Sequence, residues 1–315
     1  MSSPGPQDSI EISTDLRDAL RSRLLPEMTL SDASNPLTAP LPPALGSGKR
    51  LSPADRAVRR FTVFGNAIVT GGAGTLGLEA ARALLEHGCP GVCLMDLQAS
   101  MDGAGNTIED LRSEFPARHV VLMVVDVTDS NAVADAVRRA VEEMKTIEVL
   151  LCFAGVVGCT HALEMDPANW QHTLDVNLSG SWFTAQAVAK AMIKQNTGGS
   201  ITFIASISGH RVNFPQPQVA YNASKAALLQ LKSSLAAEWA RFGIRVNSIS
   251  PGYMDTILNE GPGLADAREI WTSRNPMGRM GAPAELVGAV VLLSSPAGRY
   301  INGADIIVDG GGHVF

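Results

Sequence analysis

The stretch Asn66-Ala-Ile-Val-Thr70-Gly71-Gly72-Ala73-Gly74-Thr75-Leu76-Gly77 decides how this chain folds. Its first five residues form a short apolar run of the kind buried inside a sheet. Glycines then interrupt the run, and Leu78 to His87 continues with helical spacing until Gly88 stops it. A strand that ends in glycines and opens directly into a helix makes a cradle for phosphate. Glycine lets the backbone turn sharply and approach a pyrophosphate, while the free N–H groups and dipole of the helix start meet its charge. Asp96 closes the next apolar run, Val92 to Met95, about 20 positions beyond Gly77, where a carboxylate can accept hydrogen bonds from adenosine ribose hydroxyls. The same carboxylate would repel a 2′-phosphate. Neither Leu97 nor Gln98 is cationic and no Arg or Lys lies inside the turn, so the sequence favours NAD over NADP.

Outward from this stretch the chain alternates between strand-like and helix-like segments. Further strands are expected at Val120 to Val125, Val149 to Phe153, Ile201 to Ala205, Val246 to Ile249 and Ile306 to Val308, with helices at Asn131 to Met144, Trp170 to Gln195 and Ala220 to Phe242. Such alternation predicts an α/β fold, a Rossmann-type doubly wound parallel sheet with helices on both faces and right-handed crossovers. In these sheets ligands sit beyond the carboxyl ends of the strands, so functional residues are expected just after them. Residues 1 to 60 differ. Pro36, Pro40, Pro42, Pro43 and Pro53, interleaved with Ser, Gly and Ala, read as a largely irregular extension to a single domain spanning residues 61–315. Within it, Thr14 could cap a short helix carrying Leu16, Leu20 and Leu24.

Composition narrows the function. Apolar residues make up 45% of the 315 and charged residues 18%, ample for a sizeable core. With a formal net charge of −6 and no block of Lys or Arg, no nucleic acid partner is expected. Met1 to Ile10 lacks the basic run and apolar core of a secretory signal, and Asp8, Glu11 and Asp15 oppose a mitochondrial presequence. No apolar run approaches the ~20 residues of a membrane-spanning helix. Cys89, Cys93, Cys152 and Cys159 show neither C-x-x-C spacing nor a histidine at a zinc-site interval. They read as small buried hydrophobes in a reducing compartment, with no metal expected and the cytoplasm as the expected location.

Chemistry enters at Tyr221-Asn-Ala-Ser-Lys225, which opens the long helix after Ile201 to Ala205 and places Tyr221 and Lys225 four apart on one face. A phenol with a pKa near ~10 is a poor base at neutral pH. A nearby ammonium is expected to lower it toward the range that proton transfer needs. Ser206, just after the preceding strand, could hydrogen-bond the same substrate oxygen.

With these residues in view, the span from about Phe61 to the C-terminus resembles the classical short-chain dehydrogenase/reductase family. The matching features are the glycine turn, Asp126-Val127, Asn177, Ser206-Ile-Ser-Gly209, Tyr221-x-x-x-Lys225, Pro251-Gly252-x-x-x-Thr256 and Val308-Asp-Gly-Gly311. The resemblance implies that Tyr221 transfers the proton and that Ser206 orients the oxygen. It also implies that Lys225 binds the nicotinamide ribose and that Asn177 holds a water in a proton relay. It places Gly71, Gly72, Gly74, Thr75, Leu76, Gly77, Asp96, Asp126, Val127, Ala154, Gly155, Pro251, Gly252 and Thr256 against the cofactor, and implies a homodimer or homotetramer. Two departures stand out. Cys152-Phe153-Ala154-Gly155 replaces the usual Asn-Asn-Ala-Gly, and Thr75 stands where classical members carry their middle glycine. That spacing also matches the extended relatives acting on nucleotide sugars, but only about 90 residues follow Lys225, too few for their substrate domain.

The segment Ser208-Gly-His-Arg-Val-Asn-Phe-Pro-Gln-Pro-Gln218 further resembles the family's fungal-type polyol dehydrogenases and ketose reductases, of arabinitol, mannitol and sorbose type. A sugar alcohol needs several partners for its hydroxyls, because unpaired buried polar groups are costly. His210, Asn213, Gln216 and Gln218 could supply them, or could tie down their own loop. Asp255 to Arg274 is expected to cover the substrate, hinged at Gly261-Pro262-Gly263, with Leu258, Leu264, Ile270 and Trp271 as apolar contacts. That apolar character leaves a second reading open, a tailoring ketoreductase for a larger, less polar ketone. A third, a cofactor-sensing protein without turnover, is opposed by the intact set of Asn177, Ser206, Tyr221 and Lys225.

Overall fold

Seven short runs of β-branched and long apolar residues, each broken by a turn, form the sheet: β1 (Ala67–Thr70), β2 (Gly91–Asp96), β3 (His119–Val124), β4 (Val149–Cys152), β5 (Gly199–Ile204), β6 (Ile244–Pro251) and β7 (Asp305–Val308). The computed structural model describes residues 14–40 and 51–314. All strand pairs are parallel, in the order β3-β2-β1-β4-β5-β6-β7. Strand order reverses between β1 and β4, and there the doubly wound sheet opens its crevice beyond the carboxyl ends. All four residues of β1 and all four of β4 are buried, as expected for central strands covered on both faces. On one face α6 (Ser130–Met144), α8 (Gly180–Gln195) and α9 (Val219–Trp239) lie over Ile68, Leu150 and Phe203. On the other, α3 (Thr75–Glu86) and α11 (Val287–Ser294) cover Val69, Leu94 and Leu151. Each fully buried leucine of this core contributes about 2 kcal/mol by area removed from water.

The helices differ from the expected pattern in identifiable ways. Between β2 and β3 the chain forms α4 (Gln98–Gly103) and α5 (Gly105–Glu114), where glycines obscured the periodicity. The single helix expected from Trp170 to Gln195 is instead α7 (Pro167–Leu174), a π-helical turn at Asp175–Ser179, and then α8. The π turn carries Asn177, and such one-turn insertions favour functional positions because they re-aim one side chain.

In the extension, Thr14 lies inside α1 (Thr14–Ser22) rather than preceding it, and Leu20 and Leu24 on this arm are exposed. Pro53 begins α2 (Pro53–Phe61) instead of opposing structure. Proline at a first helical position has no N–H to lose, and Ser52 with Asp55 closes a capping box, Asp55 N donating to Ser52 Oγ at 3.0 Å. Part of the arm is tied to the sheet domain: Asn35 Nδ2 donates to the Arg241 carbonyl at 2.7 Å, and Arg299 to that of Ala39 at 2.8 Å.

Candidate active site

The glycine turn is shaped by clashes a side chain would create. Gly71 adopts φ +65°, and a Cβ there would lie 2.5 Å from the Ala154 nitrogen; a Cβ on Gly77 would lie 2.3 Å from the Gly71 carbonyl oxygen. These two positions pull the turn against the β4 loop and against itself. Gly74 is the N-cap of α3, and Thr75 its first residue, exposed to the groove. The first intrahelical bond runs from Leu78 N to Gly74 O, so the N–H groups of Thr75, Leu76 and Gly77 have no helical acceptor. Thr75, where the family's middle glycine would stand, is exposed.

Asp96 is fixed from two sides. Its Oδ2 accepts from Ala73 N at 3.1 Å and its Oδ1 from Leu97 N at 2.8 Å, which leaves each oxygen one further acceptor direction. Asp126 accepts from Thr128 N at 2.9 Å, and Val127 packs against Gly180 at the start of α8. Cys152 is buried with its thiol pushed up to about 12 by burial, and it bonds Thr70. Phe153 turns toward the groove, and the Phe153 amide still donates to Thr70 O at 2.9 Å. Backbone pairing thus holds the β4 loop where the two family asparagines are missing.

A groove of about 950 Å³ runs along these carboxyl ends and gathers nearly every expected site residue. Gly71, Gly74, Thr75, Leu76, Gly77, Asp96, Asp126, Val127, Ala154, Gly155, Ser206, Tyr221, Lys225, Pro251, Gly252 and Thr256 all line it. Gly72 and Asn177 do not. Gly72 lies beneath the turn against Leu94, and Asn177 is fully buried behind the groove. The Asn177 amide clasps Val156 from both sides, accepting from its N–H at 2.8 Å and donating to its carbonyl at 3.0 Å. It also donates to Ser224 Oγ at 3.0 Å, and Ser224 in turn donates to the Tyr221 carbonyl at 2.7 Å. This ties the π turn, the β4 loop and the first turn of α9 together.

Tyr221 and Lys225 share one face of α9 as their spacing requires. The Lys225 ammonium lies 5.5 Å from the Tyr221 ring centre and donates to the Ile204 carbonyl at 2.7 Å. Burial brings the Lys225 pKa down to about 8. Burial raises the Tyr221 phenol, a hydrogen bond with Ser206 opposes that, and the neighbouring Tyr253 adds to it. The lowering expected from Lys225 is absent: its ammonium is turned to the Ile204 carbonyl, and burial sets the direction of the phenol's shift. Ser206 donates to Ser208 Oγ at 3.0 Å and accepts from Ser208 N at 3.1 Å, which fixes its hydroxyl beside Tyr221.

The four polar side chains expected near the substrate separate. His210 turns away to Asp305 (2.9 Å) and Ser250 (3.2 Å) and does not line the groove, whereas Asn213, Gln216 and Gln218 do. The segment expected to cover the substrate forms α10 (Ala265–Ser273), and Gly261 has φ +120°; Thr256, Ile257 and Asn259 of this segment line the groove, whereas Leu264, Ile270 and Trp271 do not. Trp271 of α10 is buried and stacks on Tyr253 with ring centres 4.3 Å apart. Sequence reasoning passed over the roles of Ser208, Ser224 and Tyr253. Ser224 lies three positions from Tyr221, and Tyr253 directly follows the Pro-Gly that ends β6; both were visible signals. Among the described residues, no group of three His, Cys, Asp or Glu gathers, and no helix is long and apolar enough to cross a membrane. Cys89, Cys93 and Cys152 are buried as expected; Cys159 is exposed, because its loop lies on the surface.

Residues 71–313 match a family model described as enoyl-(acyl carrier protein) reductase. The chain is 38% identical to an NADP-dependent mannitol dehydrogenase of Hypocrea jecorina, over 82% of this chain and 96% of that one. The chain belongs to the short-chain dehydrogenase/reductase family. Another such relative, a ribulose-forming D-arabinitol 2-dehydrogenase of Candida albicans, is 37% identical over 82% of this chain and 96% of its own. Among solved structures, that of gox2181 aligns with TM-score 0.75 at 39% identity, covering 82% of this chain and 99% of that one. As a short-chain dehydrogenase/reductase, the protein is an NAD(P)-dependent alcohol dehydrogenase or reductase acting on a small molecule.

Proposed function

We propose that this enzyme interconverts a sugar alcohol, of the arabinitol type, and its ketose, with NAD(H) as cofactor and Tyr221 as the proton-transferring group. The observation that carries this reading is the row of amides, Asn213, Gln216 and Gln218, lining the groove beside Tyr221 and Ser206. Of these, Asn213 Oδ1 is buried without a hydrogen-bond partner, and an apolar substrate would leave it so. The mannitol and arabinitol dehydrogenases among its relatives point the same way.

The residues present fit a dinucleotide. The cradle that a Cβ at Gly71 or Gly77 would fill, and the free N–H groups of Thr75, Leu76 and Gly77, suit a pyrophosphate. Asp96 suits an unphosphorylated ribose. Arg82 is the cation lining that part of the groove, and Glu79 and Glu114 hold it at 3.0 Å each, so it is not free to receive a 2′-phosphate. This supports NAD, although the Hypocrea relative is NADP-dependent. When bound, the cofactor supplies or accepts the hydride. Tyr221 gives its proton to the ketone oxygen in reduction and takes one from the alcohol in oxidation. Ser206 holds that oxygen in line. Lys225 presents its ammonium to the cofactor ribose and, on release from Ile204, stabilises the phenolate. Asn177, locked onto Val156 and Ser224, keeps the start of α9 in register with the β4 loop and would hold the water of a proton relay.

Residues 61–315 form the catalytic domain in this reading, with residues 1–60 as an appended arm. The enzyme works in the cytoplasm as a homodimer or homotetramer pairing through α8 and α9, whose Trp182 and Trp239 stack at 6.2 Å. Val212, Phe214, Ile257 and Met277 are exposed, and they favour the second reading, a ketoreductase for a larger apolar ketone. One assay separates the two. Purified enzyme is given NAD or NADP with arabinitol, mannitol, sorbitol, xylitol or a hydrophobic secondary alcohol. NADH formation with a polyol supports the first reading; turnover of the hydrophobic alcohol alone overturns it for the second.

A further inference from the structure

The hydrogen bonds around Tyr253 leave its hydroxyl with one direction of action. Its oxygen accepts from Asn213 Nδ2 at 3.0 Å and from Gln216 Nε2 at 3.1 Å. The Gln216 amide cannot be turned over, because Trp271 Nε1 donates to its Oε1 at 3.1 Å and an indole N–H only donates. The end of Gln216 that faces Tyr253 is therefore the NH₂. In the orientation the structure gives the Asn213 amide, two N–H groups occupy the lone pairs of the phenol, and its proton needs an acceptor elsewhere. The ring is held against Trp271, stacked at 7° between planes. Tyr253 lines the same groove as Ser206 and Tyr221, and it lies close enough to Tyr221 to raise that phenol.

A complementary group sits beside it. Asn213 Oδ1 is buried without a hydrogen-bond partner, and Asn213 also lines the groove. A buried acceptor left unpaired is costly, so its presence next to a committed donor points to a ligand that both accepts and donates. A hydroxyl does both.

We infer that Tyr253 and Asn213 form a subsite for the hydroxyl on the carbon next to the reacting centre, with Tyr253 donating to it and Asn213 accepting from it. The enzyme then selects vicinal diols and α-hydroxyketones over simple alcohols and ketones. This rests on the polyol reading and narrows it, since any ketose carries such a hydroxyl and a simple ketone does not. Gln216 and Trp271 are positioning residues: they spend one lone pair of Tyr253 and fix its ring.

The test compares hydroxyacetone with butanone, which replaces the hydroxyl by a methyl group of similar size. The native enzyme is expected to prefer hydroxyacetone at least tenfold in kcat/KM, because a site built for a hydroxyl rejects its apolar analogue strongly. Tyr253→Phe keeps the ring and its stacking and is expected to cut that preference at least fivefold. Asn213→Leu should lower it in the same direction, and a melting measurement checks that both variants remain folded. A preference unchanged in Tyr253→Phe overturns the inference while leaving the polyol reading intact. A native enzyme that reduces butanone as well as or better than hydroxyacetone overturns both.

Discussion

Lys225→Met converts the electrostatics of the site into a measurable stability change. Lys225 is 5% exposed, and its ammonium bonds a single carbonyl, that of Ile204. Burial holds its pKa at about 8 against an ordinary 10.5. At about 1.4 kcal/mol per unit, that depression costs the folded state about 3 kcal/mol at pH 7. The sign follows from proton binding. Between pH 8 and 10.5 the unfolded chain keeps the proton that the folded chain has released, so stability rises with pH across that window. The native protein should gain about 1 kcal/mol between roughly pH 7 and 9 from this group alone. The methionine variant has no such ionisation, and its loss of the bond to Ile204, about 1–3 kcal/mol, is a pH-independent offset. Urea unfolding of both proteins at pH 7, 8 and 9 gives the difference directly. The native protein should improve relative to the variant as pH rises. A difference that stays flat would refute the buried-ammonium argument, and one that moves the other way would mean that Lys225 is held charged by a partner.

Three further outcomes are expected. Tyr221→Phe should lower turnover by about 10²–10⁴-fold in both directions while cofactor binding, followed by NADH fluorescence, persists. Because burial raises the Tyr221 phenol, alcohol oxidation by the native enzyme should increase with pH above neutrality and ketone reduction should not; an oxidation rate that falls through that range would contradict the assignment of the base. Gly77→Ala brings a Cβ to 2.3 Å from the Gly71 carbonyl, so the turn must open: NADH affinity should drop about tenfold or more, and an unchanged dissociation constant would show that the turn is not the cradle. A thiol reagent should label Cys159 alone in the folded protein and all four cysteines after denaturation, because burial holds the other three thiols at about 12; rapid labelling of Cys152 would show the β4 loop to be open.

The amino-acid sequence by itself determined the doubly wound sheet and the place of the site. All seven strands, the glycine turn, the strand-end Asp96 and the Tyr221–Lys225 spacing are local patterns, set by side-chain period, by backbone freedom at glycine and by helix pitch. Local pattern also explains what it missed. Pro53 read as a breaker until its capping partners were considered, and the π turn at Asp175–Ser179 leaves no periodic trace because one inserted residue looks like continued helix. Tertiary structure decided the rest. His210 lies beside the substrate segment in sequence but bonds Asp305, 95 positions away, and Asn177 finds Val156 and Ser224 across two loops. Trp271 fixes Gln216 from 55 positions away, which in turn commits Tyr253. The direction of the Tyr221 shift is of the same kind: spacing brings the ammonium near, but burial by distant segments decides which charge the site tolerates, and desolvation sums over everything packed around a group.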